Sequence, residues 1–243
     1  LLYTLLNAHS RLFIGRETAL FSGNRNLGHL SKRTGMRKDQ LEAMYHSSKC
    51  YPEFTQCVLS TLAAQNGKTR WGDKSPGSVN LISEAFRFFP KARFIHVVRD
   101  GRDAVCSIRT HLPSLGSKYS PVNPWSECVE LWESWTQHGI TWRNDPRYFE
   151  LKYENLAQSP ESTLRELLGW LGEPWEATLL NKARLSEVPR RPDVSQPVSF
   201  GSVSRWISDL PAEARKLFAG PPNDLLIKLS YAENEKWITH SFK

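Results

Sequence analysis

Short apolar runs alternate along this chain with stretches in which apolar residues recur at helical spacing. Residues 94–98 form the clearest run, which is short and rich in β-branched side chains, as is typical of a strand buried on both faces. Over residues 103–112 the apolar positions follow the period of a helix. Residues 99–101, Arg-Asp-Gly, separate the two segments, and the glycine permits a tight turn. The predicted order is strand, charged turn and helix.

Similar patterns predict further elements on both sides of this segment. Helices are predicted over residues 1–9, 38–47, 51–65, 78–89, 125–143, 160–171, 212–218 and 224–229, and short strands over residues 69–71 and 148–152. The helix at 78–89 makes a crossover of the right length for its flanking strands to pair in parallel. Loops are predicted at residues 22–37, 112–124 and 189–197. The alternation predicts a single α/β domain over residues 1–243, with a parallel sheet between helical layers.

Four tryptophans of the predicted helix at 125–143 share one face, at positions 125, 132, 135 and 142. Such a stripe can stack on a base or a sugar, but an amphipathic core face is its more frequent meaning. We interpret the stripe as part of the core.

The turn after the central strand has the chemistry of an anion site. Arg99 lies at the carboxyl end of the predicted strand, next to a helix N-terminus whose N–H groups attract negative charge. Ser107 lies one turn into that helix, from where its hydroxyl can reach the same anion. A phosphate is the expected guest. The alternative is that Arg99 forms a simple ion pair with Asp100 at the strand end.

Composition narrows the class of protein. The net charge of +7 and the pI of about 9.3 suit an acidic ligand, yet the basic residues form no run of the kind that nucleic-acid-binding tails show. Four cysteines have neither metal-ligand nor CxxC spacing, which favours reduced thiols and a cytoplasmic protein. No apolar run has the length of a membrane span, and there is no signal peptide pattern.

The central segment resembles a known family. An apolar strand, then Arg-Asp-x-Arg, then a serine eight residues after the first arginine, is similar to the 3′-phosphate-binding segment of sulfotransferases, which use 3′-phosphoadenosine 5′-phosphosulfate (PAPS). Five more short motifs follow the family's order: Asn-Ala-His-Ser at 7–10, Arg-Glu-Thr at 16–18, Lys-Ser-Pro at 74–76, Tyr-Glu-Asn-Leu at 153–156 and Gly-Ser-Val-Ser-Arg-Trp at 201–206. The first two most resemble the tyrosylprotein sulfotransferase branch. The resemblance implies the P-loop-kinase-like sulfotransferase fold.

The resemblance also implies catalytic residues. Glu17 falls on the family's general base, which takes the proton of the acceptor hydroxyl. Lys74 falls on the lysine near the transferring sulfuryl group, where an ammonium stabilises the leaving oxygen, with Ser204 nearby. From the residues alone, a solvated glutamate and an ordinary exposed lysine remain the alternatives.

The cofactor-binding residues implied by the resemblance are four. Arg99 and Ser107 would hold the 3′-phosphate, and Arg205, together with the catalytic Ser204, would close over the phosphosulfate from another side. Tyr153 would contact the nucleotide or the acceptor, while a helix cap is the alternative and suits the neighbouring Glu154 better. No metal is implied.

One family motif is missing from the chain. The family's first strand and its Arg-Ser-Gly-Thr-Thr loop, which cradles the 5′-phosphosulfate, should lie immediately before Leu1. We therefore expect that the chain is a fragment of a longer protein, and that these 243 residues alone transfer sulfate poorly.

The predicted function is transfer of a sulfuryl group from PAPS to an acceptor hydroxyl on a small molecule, a glycan or a protein tyrosine, leaving 3′,5′-adenosine bisphosphate. The alternatives are a phosphate-loop kinase-like phosphotransferase and a non-catalytic nucleotide-binding relative. No nucleic acid or membrane span is expected, and a homodimer is left open.

Overall fold

The computed structural model describes residues 1–18, 20–21, 23, 25–111, 124–180 and 203–239. All seven predicted site residues lie within these ranges. The predicted loop at 189–197 and all but the last residue of the one at 112–124 lie outside the described residues. Within the described part of the chain, no helix combines the length and the hydropathy needed to cross a bilayer.

Helices separate the four strands of the described residues and also follow the last of them. The strands are β1 (Leu12–Arg16), β2 (Arg70–Lys74), β3 (Phe94–Val98) and β4 (Tyr148–Lys152). The helices of the first half are α1 (Leu2–Asn7), α2 (Leu27–Thr34), α3 (Lys38–Ser47), α4 (Tyr51–Gln65), α5 (Ile82–Phe88) and α6 (Gly101–His111). Those of the second half are α7 (Trp125–Ile140), α8 (Tyr153–Gln158), α9 (Pro160–Leu171), α10 (Trp206–Asp209), α11 (Ala212–Arg215), α12 (Pro221–Lys228) and α13 (Lys236–Thr239). Short 3₁₀ turns span Pro76–Leu81 and Lys216–Phe218.

The predicted loop at residues 22–37 is wrong in its centre, because α2 occupies Leu27–Thr34. The side chain of Asn26 accepts a hydrogen bond from the backbone N–H of His29 at 3.0 Å, which caps the helix at its start. Gly35 ends it in the left-handed conformation. Both capping residues are visible in the sequence, but only Leu30 of the helix is buried, so the apolar period is too weak to predict the helix.

The strands pair differently from the prediction. β1, which the sequence did not predict, pairs in parallel with β2, and β3 pairs with β4. Among the described residues, the strand that follows residue 69 pairs with β1, and the strand at residues 94–98 pairs with β4. Strand β3 also departs from the expectation of burial on both faces, since Val97 is 40% exposed.

The chain forms two compact units. The first comprises the described residues of Leu1–Phe94 and Leu164–Val188, and the second those of Ile95–Thr163 and Pro189–Lys243. Each has its own apolar core. The single domain over residues 1–243 stays a prediction.

The first unit packs α4 against the β1–β2 pair. Its core contains residues of α2, α3 and α4: Leu30, Leu41, Phe54, Val58, Leu59 and Leu62. Asn7 ties α1 to β1, because its side-chain amide exchanges two hydrogen bonds of 3.0 Å with the backbone of Ile14. His9 is buried, and its ring lies 2.9 Å from the carbonyl oxygen of Pro174. The Asn-Ala-His-Ser motif thus anchors the start of β1.

The second unit packs α6 and α7 together with the C-terminal helices. Trp132 of α7 lies in this core, as predicted, and Trp125 packs against it. Gly101 has no positive φ, so the predicted tight turn does not explain why a glycine stands at this position. Instead, a Cβ at Gly101 would lie 2.4 Å from Cζ2 of Trp132, so glycine is required for the close approach of α6 and α7. Gly139 of α7 likewise leaves room for a ring, that of His96, which a Cβ at this position would overlap. Nδ1 of His96 lies 2.6 Å from the hydroxyl oxygen of Tyr148.

A serine ends α12 where glycine is the usual residue. Ser230 has a φ of 61°, and its N–H donates to the carbonyl of Ile227 at 2.9 Å. The N–H of Tyr231 donates to the carbonyl of Leu226 at 2.8 Å. These two bonds form a Schellman motif with Ser230 in the left-handed position.

We expect Gly101→Ala to destabilise the chain, because the added methyl group would overlap the buried ring of Trp132. Overpacking of a core costs about 1–3 kcal/mol. Chemical denaturation measures the change in free energy of unfolding. Gly169→Ala in α9 is the matched control, since nothing lies within 4 Å of its added methyl and alanine is favoured over glycine within a helix by about 0.5–1 kcal/mol. Equal unfolding free energies for the two variants would contradict the packing role of Gly101.

We expect Ser230→Gly to stabilise the chain. A residue with a side chain loses about 1–2 kcal/mol in the left-handed conformation, and the greater freedom of glycine in the unfolded chain returns part of that gain. The expected net gain is about 0.5–1 kcal/mol in the free energy of unfolding. Ser162→Gly, inside α9, is the control and should be destabilising. A loss of stability in Ser230→Gly would show that this position carries no strain.

Candidate functional site

The first candidate cluster lies where β1 and β2 end, and we name it the Glu17–Lys74 cluster. Glu17 directly follows β1, and Lys74 is the last residue of β2. The backbone N–H of Glu17 donates to the carbonyl of Lys74 at 2.7 Å. Lys74 Nζ in turn donates to Oε1 of Glu17 at 2.5 Å, and Arg33 Nη1 lies 3.8 Å from the other carboxylate oxygen. The structure therefore brings together two of the three predicted catalytic residues.

Both side chains of this pair stay accessible to solvent, at 38% exposure each. Partial burial acts to raise the pKa of Glu17, but the hydrogen bond from Lys74 and the charges of Lys74, Arg16 and Arg33 outweigh it. The pKa of Glu17 is therefore below the ordinary value for a glutamate. The carboxylate is ionised at neutral pH, as a proton acceptor must be.

The backbone at Glu17 is held in an unusual conformation. Its φ of 52° lies in the left-handed region, which residues with a side chain seldom adopt. Asp73, one residue before Lys74, accepts hydrogen bonds from Thr18, one residue after Glu17. Such strain persists only where the surroundings hold it, and it is frequent at functional sites.

The second candidate cluster surrounds the start of α6, and we name it the Arg99 cluster. Arg99 follows β3, and its side chain is 17% exposed. Its guanidinium lies over the ring of Tyr153 at 4.6 Å from the centroid, and Nη2 lies 3.8 Å from Oδ2 of Asp103. Two predicted cofactor-binding residues, Arg99 and Tyr153, are thus in contact. Ser107 lies one turn after Asp103 on the same face of α6.

Asp103 links α6 to the segment that carries two other predicted residues. It is fully buried, and its oxygens accept the backbone N–H groups of Ser204 and Trp206, each at 2.8 Å. Burial acts to raise the pKa of Asp103, although these hydrogen bonds oppose the change. Ser204 has a φ of 62°, so the carboxylate again holds a left-handed residue. Arg205 pairs with Asp209 at 2.7 Å.

The alternative reading of Arg99 as the partner of Asp100 is wrong. The carboxylate of Asp100 instead pairs with Arg102, whose Nη2 lies 2.6 Å from Oδ2. Arg102 is almost fully buried, and its guanidinium lies over the rings of Trp206 and Trp237 at 4.0 and 4.9 Å. This pair is part of the core of the second unit.

Glu154 has a different role from the predicted helix cap. Its carboxylate accepts the backbone N–H of Asp100 at 3.0 Å and the hydroxyl of Tyr231 at 2.7 Å. It therefore ties the Arg-Asp-Gly turn to the segment after α12. Burial and the charge of Glu154 raise the pKa of Tyr231 far above its usual range, so this hydroxyl stays a donor.

Three residues of these clusters escaped the sequence reasoning: Arg33, Asp73 and Asp103. Arg33 lies in the helix that was predicted as a loop. Asp73 is a charged residue inside a short strand, and Asp103 follows Arg99 by four residues. The four-residue spacing from Arg99 to Asp103 is a usable signal, because an acidic residue one helical turn after a candidate cation commonly lies near it.

A family profile and full-length relatives both match this chain. A profile of the sulfotransferase family matches residues 1–177. The protein-tyrosine sulfotransferase 1 of Danio rerio is 24% identical over 230 residues, covering 89% of this chain and 64% of its own length. The Drosophila melanogaster protein-tyrosine sulfotransferase is 26% identical over 234 residues and covers 88% of this chain and 45% of its own length. The chain thus spans less than two thirds of the length of these relatives.

Solved structures show the same fold at lower sequence identity. The sulfotransferase domain from the curacin biosynthetic pathway superposes with a TM-score of 0.66 at 16% identity, covering 95% of this chain and 93% of that domain. The sulfotransferase domain from the Synechococcus PCC 7002 olefin synthase gives a TM-score of 0.59 at 18% identity, with 92% and 89% covered. The α/β sulfotransferase fold predicted from the sequence is therefore confirmed. The chain belongs to the sulfotransferase family, and the protein-tyrosine sulfotransferases are among its relatives.

Proposed function

We propose that the protein carrying this chain is an enzyme that transfers a sulfuryl group from PAPS to an acceptor hydroxyl. The observation that carries the proposal is the Glu17–Lys74 cluster: a carboxylate with a lowered pKa paired with an ammonium at the ends of two parallel strands. Sulfuryl transfer needs both groups, since the attacking hydroxyl must lose a proton and the leaving oxygen gains negative charge.

Glu17 and Lys74 divide this work in the proposed mechanism. Lys74 leaves Glu17 and binds the oxygen that joins sulfur to the 5′-phosphate of the donor. Glu17, released from the ion pair, accepts the acceptor's proton as the acceptor oxygen attacks sulfur in line with that leaving oxygen. The new S–O bond forms as the old one breaks, and 3′,5′-adenosine bisphosphate is the second product.

The Arg99 cluster supplies the proposed nucleotide site. Arg99 is oriented by the ring of Tyr153 and the carboxylate of Asp103, and it lies at the N-terminus of the eleven-residue helix α6. A guanidinium and a helix N-terminus together favour a phosphate. In the proposal, Arg99 and Ser107 bind the 3′-phosphate and Tyr153 contacts the nucleotide. Ser204 and Arg205 bind the phosphosulfate.

The proposed acceptor is a hydroxyl group, and a protein tyrosine is the first candidate because the relatives named above are protein-tyrosine sulfotransferases. Glycans and small molecules remain acceptors to be tested. The reaction needs no metal in this proposal. The homodimer stays a prediction, as does the cytoplasmic location suggested by four cysteines that are all free thiols.

We expect Glu17→Gln to lower kcat for sulfuryl transfer by about 10²–10⁴-fold, the usual contribution of a general base. Glutamine keeps the shape and can still accept the hydrogen bond of Lys74, so KM for PAPS should change little. The substitution is made in the full-length protein, and the measurement is the transfer of labelled sulfate from PAPS to a tyrosine peptide and to simple phenols. Glu42→Gln, on the exposed face of α3, is the matched control. Full activity of Glu17→Gln would exclude Glu17 as the base.

We expect Arg99→Ala to weaken the binding of 3′,5′-adenosine bisphosphate by about tenfold to a hundredfold, because a hydrogen bond to a charged group is worth about 1.5–3 kcal/mol. Isothermal calorimetry measures the affinity. The affinity for adenosine 5′-phosphate, which lacks the 3′-phosphate, should stay the same in this variant. Arg147→Ala is the control, since Arg147 pairs with Asp145 in a turn. Equal losses of affinity for both nucleotides would show that Arg99 does not bind the 3′-phosphate.

A further inference from the structure

The carboxylate of Asp73 receives three hydrogen bonds. Its Oδ1 accepts from the hydroxyl of Thr18 at 2.7 Å and from the backbone N–H of Thr18 at 3.3 Å. Its Oδ2 accepts from the hydroxyl of Ser75 at 2.8 Å. Ser75 is a neighbour of Asp73 in the sequence, whereas Thr18 is 55 residues away from it.

The two partners occupy equivalent places. Thr18 directly follows Glu17, and Ser75 directly follows Lys74. In the β1–β2 pair, Arg16 lies opposite Lys74. One carboxylate therefore holds the residue after the proposed base and the residue after the proposed cation.

The surroundings are shaped for this contact. Thr18 is almost fully buried. A Cβ at Gly15 would lie 2.6 Å from the methyl carbon of Thr18 and 3.2 Å from Oδ1 of Asp73, so the missing side chain makes room for the pair. Because side chains alternate along a strand, Asp73 and Lys74 point to opposite faces of the sheet. Asp73 therefore acts on the cluster through the backbone.

We propose that Asp73 is a positioning residue for sulfuryl transfer: by holding Thr18 and Ser75, it fixes the backbone from which the side chains of Glu17 and Lys74 extend. The inference rests on the proposed function, because it takes these two residues as base and cation. Glu17 has a left-handed backbone that needs such support. A displacement of a reacting group by about 1 Å can lower a rate by about 10²-fold.

The test compares three variants at this contact. Asp73→Ala removes all three hydrogen bonds and should lower kcat by about 10²-fold, with KM for PAPS changed less than about threefold. Asp73→Asn can present its amide oxygen to Thr18 and its NH₂ group to Ser75, so it should restore kcat to within about fivefold of the native value. Thr18→Val keeps the methyl group beside Gly15 but loses the hydroxyl, and should fall between the two.

A pH profile gives a second readout that a merely structural role would not change. Glu17 accepts a proton only when ionised, so kcat/KM falls as the pH drops through its pKa. In the native protein burial acts to raise that pKa, but the hydrogen bond from Lys74 and the charges of Lys74, Arg16 and Arg33 hold it below its ordinary value. If Asp73→Ala loosens the pair, the pKa of Glu17 rises and the loss of activity begins at a higher pH. Asp73→Asn should keep the native profile.

Asn223→Ala is the control for general destabilisation, because it removes a buried acceptor that receives the indole N–H of Trp237 at 2.9 Å. It should lower the unfolding midpoint without changing the kcat of the folded protein. An Asp73→Ala variant with native kcat and a native pH profile would overturn the inference while leaving the proposed function intact. A kcat that falls equally in Asn223→Ala would overturn it as well. Absence of sulfuryl transfer in the native protein would instead refute the proposed function.

Discussion

Aspartate carboxylates hold the backbone in the conformation that both candidate clusters use. Glu17 and Ser204 have left-handed φ angles of 52° and 62°, which cost a residue with a side chain about 1–2 kcal/mol. In each case an aspartate accepts a backbone N–H at or directly after the strained residue: Asp73 from Thr18, and Asp103 from Ser204. A hydrogen bond to a charged group contributes about 1.5–3 kcal/mol, which offsets strain of this size. The geometry of the candidate site therefore depends on side chains that carry no proposed chemical role.

The sequence predicts well those elements whose whole pattern is local. Helices α3, α4 and α9 and strand β4 have the predicted bounds, because their apolar periods and turn residues lie within the element itself. The strand-end positions of Lys74 and Arg99 were also predicted, whereas Glu17 lies at the end of a strand, β1, that the sequence did not predict. Within the parallel β1–β2 pair, the carboxyl ends of both strands lie at one edge, which is where α/β proteins commonly bind their ligands.

The features that the sequence missed depend on partners far along the chain. β1 contains Gly15 and Arg16 among five residues, and it becomes a strand because it pairs with β2. The reason for Gly101 is the ring of Trp132, which belongs to another helix. Asp73 looked like an ordinary polar residue, since its partner Thr18 is 55 positions away. Local periodicity contains none of this information.

Charged residues that look equivalent in the sequence have different contacts in the structure, because their secondary-structure elements orient them differently. The two arginines of the segment at residues 99–102 are three positions apart, yet Arg102 is paired with Asp100 in the core while Arg99 lies beside Tyr153. Removing Arg102 would leave a buried carboxylate without its cation, which is a loss of stability. Arg99 instead lies before the first turn of α6, where a helix attracts anions, and beside the carboxylate of Asp103. Asp73 and Lys74 also differ in role although they are neighbours, because successive side chains of a strand point to opposite faces. Asp73 accepts a hydrogen bond from Thr18, whereas Lys74 donates one to the proposed base Glu17.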